Sequence, residues 1–371
     1  MRICVLGLRG LPEVMGGVET HCEQLLPILS GMMRADDFCV LTRAPYTEAE
    51  PPPYKGLRLV SIWTIKQKYL EAITHTAWGV LYARVRLRSD MLHLHAIGPG
   101  LLAPLAKMLG MSVIVTHHGA DYRRDKWNLI AKAALRLGEW CAVTFADRVI
   151  VVSPSMTESL KRRFPRRAGR ISYIPNGITE PPQSAPDTKP EAGVLDKFGL
   201  VARGYVLAVG RLVPEKGFAD LIEAFRASNS RLKLVIAGGA DHHDPFVAKL
   251  LAMAGHDVVF AGVQKRDQLA TLYAGAALFV LASHHEGLPI VALEAIAAGA
   301  PVLLSDIAPN RDIRLSDAHY FPVGDVEALR DKLNLPYSLY DTDPQDRAAD
   351  YDWSRIAAQT KRVYESVFGR D

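Results

Sequence analysis

Two carboxylates, Glu286 and Glu294, stand eight positions apart in the segment HHEGLPIVALEAIAAGA. The helix predicted after Pro289 is otherwise apolar, so it belongs in a protein interior, where the charge of Glu294 is costly and requires a partner from elsewhere. Gly287 lets backbone N–H groups come close to a ligand, and Pro289 suits a helix start, where anions are favoured. Two carboxylates that flank an anion site suit a molecule with a phosphate between two sets of hydroxyls, such as a nucleotide sugar.

A second set of charges lies in the loop GRLVPEKG, between a predicted strand and a predicted amphipathic helix. Its two cations, Arg211 and Lys216, can hold a diphosphate and neutralise the charge that develops on it as a leaving group. Alternatively, the loop lies on the surface and its two cations only form salt bridges. Recognition of a nucleobase in such a site is expected to be largely backbone-mediated, around Gly239 and Val263.

The first predicted strand runs into a glycine-rich turn. The paired glycines Gly16 and Gly17 leave N–H groups free for a phosphate or a sugar, although they also suit a simple tight turn. The neighbouring segment GLRG does not make the GxGxxG fingerprint of dinucleotide binding, and no suitably placed acidic residue strengthens that interpretation. The sequence therefore disfavours an NAD enzyme.

Histidines mark the ends of two further predicted strands. In the motif THHG, His117 and His118 stand where a histidine can hydrogen-bond a sugar hydroxyl or transfer a proton, with a structural histidine as the alternative. His93 and His95 share one face of a strand, but CxxC or HExxH ligands are not nearby, so zinc is disfavoured. We expect His95 to face the ligand cleft and His93 to pack nearer the sheet.

No metal and no cofactor is expected. The DTD segment at 341–343 has the form of a divalent-ion motif, but it lies in a polar segment near the C terminus rather than at the end of a central strand.

Length and composition indicate a globular protein of two domains. The chain has 371 residues and a hydrophobic content of 49%, which is ample for a core. Its apolar runs are shorter than the roughly 18 to 20 residues that span a bilayer, and the segment at 1–11 reads better as a buried strand than as a signal peptide. The four cysteines lack CxxC spacing and suit buried thiols in a reducing cytoplasm.

The net charge of +4 is unevenly placed. The basic segment KRRFPRR at 161–167 and the cations Arg84, Arg86 and Arg88 lie in the first half, whereas the segment at 341–352 is acidic. Solvated surface charge is the plainer interpretation. The alternative is that the first half sits against an anionic membrane surface, on the inner face of the cytoplasmic membrane.

Short buried strands alternate with helix-length segments, in two series. This rhythm predicts two Rossmann-like domains, each with a mostly parallel sheet covered on both faces, and a cleft between them. A stretch rich in proline and polar residues, 179–190, separates the series, and a final helix is predicted from about 352 to 368. The predicted strands are ICVLGL, DFCVLT, LRLVSI, MLHLHAI, SVIVTHH and DRVIVVS, then YVLAVG, LKLVIAGG, DVVFAGV, AALFVLAS and PVLLSD.

With these motifs in order, the chain resembles the family 4 glycosyltransferases of the GT-B fold. The resemblance rests on GGVE, THHG, PNG at 175–177, GRLVPEKG and EGLPIVALEA, whose two glutamates form the E-x7-E motif. The segment GLRGLPEVMGGVET also resembles a bacterial subgroup that builds envelope polysaccharides, and a lipid-linked oligosaccharide is the acceptor that this favours. The expected domains are an acceptor-binding domain at 1–177, a linker at 178–190, a nucleotide-sugar-binding domain at 191–351 and a C-terminal helix at 352–371, which should pack back on the N-terminal domain.

The resemblance implies metal-independent sugar transfer with retention at the anomeric carbon. It assigns the diphosphate to Arg211 and Lys216, the ribose hydroxyls to Glu294 and the donor-sugar hydroxyls to Glu286. His118 matches the family's cleft histidine, although the doubled histidine leaves that assignment open. Further donor contacts are expected from backbone groups of five residues: Gly16, Gly17, Gly287, Leu288 and Pro289. Acceptor contacts are expected from three side chains of the first half: Glu19, His95 and His117.

Three other functions fit the sequence less well. A sugar-nucleotide epimerase can share the fold and the donors, but the E-x7-E spacing with the GRLVPEKG loop favours the transferase. A non-catalytic nucleotide-sugar-binding regulator belongs to a different class, and the intact charged residues argue against it only statistically. Nucleic-acid binding is disfavoured because the basic clusters lack interleaved aromatic side chains.

Overall fold

The computed structural model describes residues 1–14, 16–34, 36–65, 67, 71–123, 127–178, 192–240, 245–343 and 350–369. The chain forms two compact units. The N-terminal domain comprises 1–177 together with 351–371, and the C-terminal domain comprises 178–350. Most of the predicted linker, 179–190, lies outside the described residues. Within the described ranges, no helix is both long and apolar enough to cross a membrane.

The N-terminal domain is built on a seven-stranded parallel sheet in the order β3-β2-β1-β4-β5-β6-β7. Its strands are nearly continuous apolar runs because helices cover both faces. The strands are β1 (Arg2–Leu6), β2 (Asp37–Arg43), β3 (Arg58–Ile62), β4 (Met91–His95), β5 (Ser112–His117), β6 (Arg148–Val151) and β7 (Ile171–Tyr173). The helices are α1 (Gly17–Met32), α2 (Glu71–Val85), α3 (Ile97–Gly100), α4 (Ala103–Met108), α5 (Leu129–Phe145), α6 (Pro154–Arg163) and the C-terminal α14 (Trp353–Val367).

The two faces of this sheet carry different helices. On one face, α1 and α14 pack together over residues such as Val5 and Phe38. The other face is covered by α2, α4, α5 and α6. The last helix therefore packs on the N-terminal domain, as predicted. The four cysteines are free and buried.

The C-terminal domain repeats the plan with a six-stranded parallel sheet in the order β10-β9-β8-β11-β12-β13. Its strands are β8 (Tyr205–Val209), β9 (Lys233–Ala237), β10 (Val258–Gly262), β11 (Leu278–Leu281), β12 (Val302–Ser305) and β13 (Tyr320–Phe321). Its helices are α7 (Ala192–Lys197), α8 (Phe218–Ala227), α9 (Pro245–Ala252), α10 (Arg266–Gly275), α11 (Ile290–Ala297), α12 (Ala308–Arg311) and α13 (Val326–Leu333).

The predicted α/β architecture is confirmed in both domains. All eleven strands proposed from the sequence form, whereas the short edge strands β7 and β13 were missed. Each sheet has a point where the strand order reverses, between β1 and β4 and between β8 and β11. In sheets of this kind, ligands bind beyond the carboxyl ends of the strands at that point.

Candidate functional site

In the C-terminal domain, the loops that follow β8, β9 and β10 are tied together by backbone hydrogen bonds. The N–H of Leu212 donates to the carbonyl of Gly239 (2.9 Å), and the N–H of Gly238 donates to the carbonyl of Gly262 (2.8 Å). Val263, which follows, is 63% exposed. Gly239 and Val263, proposed from the sequence to lie near a nucleobase, thus stand beyond the carboxyl ends of β9 and β10.

A glycine brings the cationic loop close to the end of β11. Gly217 has φ 66°, and a Cβ there would lie 2.1 Å from the carbonyl oxygen of Ala282, so a larger residue would push the two segments apart. Arg211, half-buried, is the second residue after β8, and Lys216 lies in a 3₁₀ turn just before Gly217.

Lys216 and Glu286 form an ion pair at the point where the strand order reverses. Lys216 Nζ donates to Glu286 Oε1 at 2.5 Å, and the two side chains are 17% and 10% exposed. One residue follows β8 and the other follows β11, which are neighbouring strands. The structure thus brings together the cation and the carboxylate that the sequence places 70 residues apart.

Glu294 receives a partner from a neighbouring helix. The phenol of Tyr273, on α10, donates to Glu294 Oε2 at 3.1 Å. Among the described residues this is the one hydrogen bond of the Glu294 side chain. Burial raises the pKa of Glu294 to about 7, against smaller lowering effects from Tyr273 and from the charge of Arg266. Tyr273 is not predictable from the sequence, because its approach to Glu294 depends on the packing of α10 against α11.

The segment between Glu286 and Glu294 leads into the apolar helix α11. Gly287 and Leu288 precede Pro289, which is the N-cap and contributes no side-chain hydrogen bond to the helix end. Leu288 is 4% exposed and anchors the turn in the core. The helix therefore presents its first N–H groups at the same end of the domain as the Lys216–Glu286 pair, where an anion is favoured.

In the N-terminal domain, three histidines converge at the carboxyl ends of β4 and β5. His95 Nδ1 lies 3.0 Å from His118 Nε2, and a ring nitrogen of His21, from α1, lies within 4.8 Å of both rings' nitrogens. Asn176, from the PNG motif, contacts His21 Nδ1 at 2.9 Å through its side-chain oxygen. His21 belongs to none of the motifs that predict the site from the sequence.

These rings are uncharged at neutral pH. Burial lowers the pKa of His21 to about 4, and burial together with the neighbouring rings lowers the pKa values of His95 and His118 well below their ordinary value. Three neutral imidazoles at this spacing are compatible with a metal ion as well as with hydrogen bonds to a sugar. His118 is half-buried, whereas His95 is fully buried.

His93 supports this cluster from within the sheet. Its Nδ1 contacts the hydroxyl of Tyr364 on α14 at 2.6 Å, and its Nε2 contacts the hydroxyl of Thr116 at 2.7 Å. Its ring packs against that of His95, with 4.1 Å between the centroids. As expected from the sequence, His93 packs within the sheet.

His117 points to the opposite side of β5 from this cluster. It is fully buried, and its Nε2 lies 3.0 Å from the Oε1 of Glu139 on α5, a carboxylate that also pairs with Arg163. Tyr122 completes the network by donating to the same Oε1 at 3.2 Å. The side chain of His117 is thus bonded to a buried carboxylate beneath the histidine cluster.

The start of α1 is shaped by Glu19. Its Oε1 accepts a hydrogen bond from the N–H of Arg9 at 3.0 Å, and the side chain is buried. A Cβ on Gly16 would lie 2.0 Å from Glu19 Oε2, so a larger residue there would displace this carboxylate. No atom of the described residues lies within 4 Å of a Cβ placed on Gly17, so the backbone there can approach a ligand.

Family models match both domains. The model described as Glycosyltransferase Family 4 matches residues 15–180, and the model described as Glycosyl transferases group 1 matches residues 199–347.

Three known proteins illustrate the similarity over the full chain. The alpha-maltose-1-phosphate synthase of Mycolicibacterium smegmatis is 26% identical, over 99% of this chain and 100% of that protein. The structure of sucrose-phosphate synthase from Thermosynechococcus elongatus superposes with a TM-score of 0.83 at 21% identity, over 100% of both chains. Anabaena HepE, solved in complex with UDP-glucose, superposes with a TM-score of 0.77 at 18% identity, over 99% of this chain and 100% of that one. The two structures establish the GT-B fold.

Proposed function

Because the chain belongs to the family 4 glycosyltransferases, we propose that it moves a hexose or deoxyhexose from a nucleotide-sugar donor to a lipid-linked oligosaccharide, as in the assembly of bacterial envelope polysaccharides. Transfer retains the configuration at the anomeric carbon and requires no metal ion. The observation that carries the proposal is the Lys216–Glu286 pair, which places a cation and a carboxylate together where the strand order of the second sheet reverses.

The donor occupies the carboxyl ends of β8 to β11. Arg211 and Lys216 bind the diphosphate, and the N–H groups that begin α11 add to the positive potential there. Glu294 accepts hydrogen bonds from the ribose hydroxyls, and Glu286 accepts from hydroxyls of the donor sugar. The complex of HepE with UDP-glucose supports a donor of this class in this fold.

The reaction proceeds on one face of the sugar. The bond between the anomeric carbon and the phosphate oxygen breaks while the acceptor oxygen bonds to the same carbon, and the departing phosphate oxygen takes the acceptor's proton. Lys216 neutralises the charge that grows on the phosphate, and Glu286 orients the sugar without forming a covalent intermediate.

In the N-terminal domain, His118 bonds a sugar hydroxyl as a neutral imidazole. His95 is its direct neighbour and holds its ring in place, while the backbone at Gly16 and Gly17 approaches the donor. Since His117 is bonded to Glu139, we assign it the positioning of the THHG turn, and Glu19 has the same kind of role for the turn before α1. The acceptor contacts expected of Glu19, His95 and His117 are therefore indirect in this proposal.

The test is a panel of UDP-, GDP- and dTDP-sugars, assayed for nucleotide release with EDTA present, with and without lipid-linked acceptors. We expect one base to be preferred and release to depend on acceptor. Lys216→Met and Glu286→Gln should strongly lower the rate of release, whereas Lys332→Met, in α13 of the same domain, should not. Release from no donor, or epimerisation of the donor without a glycoside product, would overturn the proposal.

A further inference from the structure

Three helices of the N-terminal domain expose large apolar side chains to solvent. On α5, Leu129 is 85% and Ile130 is 82% exposed, and Met108 at the end of α4 is 77% exposed. A helix of a soluble domain ordinarily turns charged and polar residues outward. The apolar residues exposed on these helices are Ile73, Trp78, Leu81 and Val85 on α2, Met108 on α4, and Leu129, Ile130, Leu137, Trp140 and Phe145 on α5. We call this set the α2/α4/α5 face.

The three helices form one layer. Helix α4 contacts both α2 and α5, and all three bury their inner sides in the same core cluster on the same side of the sheet. Their outer sides therefore lie on the same side of the sheet, and exposed apolar residues grouped in this way mark an interaction site.

The exposed charges within these three helices are cationic. The two carboxylates within α2, α4 and α5 are Glu71 and Glu139; both are buried, and they pair with Arg43 and Arg163. The cations in or directly after these helices are Arg84, Arg86, Arg88, Lys107, Lys132 and Arg136, and Lys107 pairs with Asp147, a carboxylate just after α5. An apolar surface that is flanked by cations complements a bilayer with anionic headgroups.

We propose that the α2/α4/α5 face is a membrane-docking surface, which inserts its apolar side chains among the headgroups of an anionic bilayer. A second copy of the chain fits this face poorly, because the same cations would meet across an isologous contact. Trp78 and Trp140 suit the boundary between headgroups and acyl chains, where amphipathic indoles are favoured. The inference rests on the proposed function, since a lipid-linked acceptor is reached from that boundary.

Replacing Leu129 and Ile130 distinguishes insertion into a bilayer from attraction by charge alone. They begin α5 and are almost wholly exposed, so their replacement leaves the core intact. The double variant L129S/I130S should weaken binding to vesicles of phosphatidylcholine and phosphatidylglycerol by at least about tenfold. The matched control is V201S/L251S, which changes two exposed apolar residues of the C-terminal domain outside the donor site and should bind as the wild type does.

Charge is tested separately. R86Q/R88Q should weaken binding to the same vesicles by about fivefold per cation, and the loss should vanish at high salt. Vesicles of phosphatidylcholine alone should bind weakly and show little effect of R86Q/R88Q. Sedimentation or flotation with vesicles measures all four proteins, and light scattering measures their mass without lipid.

Different results of these experiments test the docking surface and the proposed glycosyl transfer. Equal vesicle binding by wild type and L129S/I130S would overturn the docking surface, as would a dimer of the wild type that L129S/I130S abolishes. Docking without transfer from any donor would leave the surface standing and overturn the glycosyl-transfer proposal. Because L129S/I130S lies outside the donor site, its affinity for a nucleotide sugar should equal that of the wild type.

Discussion

Donor binding should strengthen as the pH rises through about 7, because burial raises the pKa of Glu294 to about 7 and the ionised carboxylate is the form that accepts both ribose hydroxyls. The ionised fraction rises from about one-eleventh to ten-elevenths between about pH 6 and pH 8, so the Kd for a nucleotide sugar should fall about tenfold. A sugar nucleotide suits the measurement, since its diphosphate is esterified at both ends and does not titrate there.

Titration calorimetry across this range distinguishes Glu294 from other groups. Glu294→Gln should bind weakly at every pH and lose the dependence. Tyr273→Phe should move the midpoint upward, because its hydrogen bond lowers the pKa of Glu294. An unchanged Kd for the wild type between about pH 6 and pH 8, or the same slope in Glu294→Gln, would refute the reasoning.

The raised pKa of Glu294 also affects the stability of the folded protein. The folded protein keeps a proton on Glu294 that the unfolded chain releases at its ordinary pKa of 4.5, so this carboxyl lowers the free energy of unfolding as the pH rises from 4.5 through about 7. Glu294→Gln does not lose free energy of unfolding in this way, because the amide does not ionise. Without ligand at about pH 8 it should be more stable than the wild type, by at most about 3 kcal/mol, as measured by urea unfolding.

Three further predictions follow from the contacts. Lys216→Ala should lower kcat about a hundredfold or more while donor affinity changes less, because Lys216 acts mainly on the charge of the leaving phosphate; an unchanged kcat in steady-state assays would contradict this. Tyr364→Phe removes the hydrogen bond to His93 and should lower the free energy of unfolding by about 1 kcal/mol in urea titrations, whereas an unaltered midpoint would mean that the bond is energetically neutral. Prolonged chelation should leave activity unchanged; a loss that zinc restores would identify His21, His95 and His118 as a metal centre and overturn the metal-independent mechanism.

Local patterns were sufficient to predict the strands, because parallel strands that are buried on both faces are apolar runs bounded by turn residues. The two-residue strand β13 carries too little of that pattern to be recognised. The need of Glu294 for a partner was predictable from its apolar helix. The identity of Tyr273 was not, because it depends on how α10 packs against α11.

The histidine cluster was also only partly predictable from the sequence. Side chains alternate along a strand, so Thr116 and His118 fall on one side of β5 and His117 on the other. That alternation is present in the sequence, but which side holds the site depends on the helices that cover each face. His21 comes from α1 and enters the cluster through the tertiary fold alone.

The return of α14 to the first domain bears on how the protein is made. Trp353, Ile356 and Tyr364 complete the core over the first sheet, and Tyr364 bonds His93. The C-terminal domain has all its strands and sheet helices once residue 350 has left the ribosome, whereas the domain begun first still lacks its last helix. At about 5 to 20 residues per second, the C-terminal domain alone takes many seconds to synthesise, and for that time the first domain waits with part of its core uncovered. The domain that is synthesised first is therefore completed last. Chaperone binding to nascent chains should be strongest on the surface that α14 later covers.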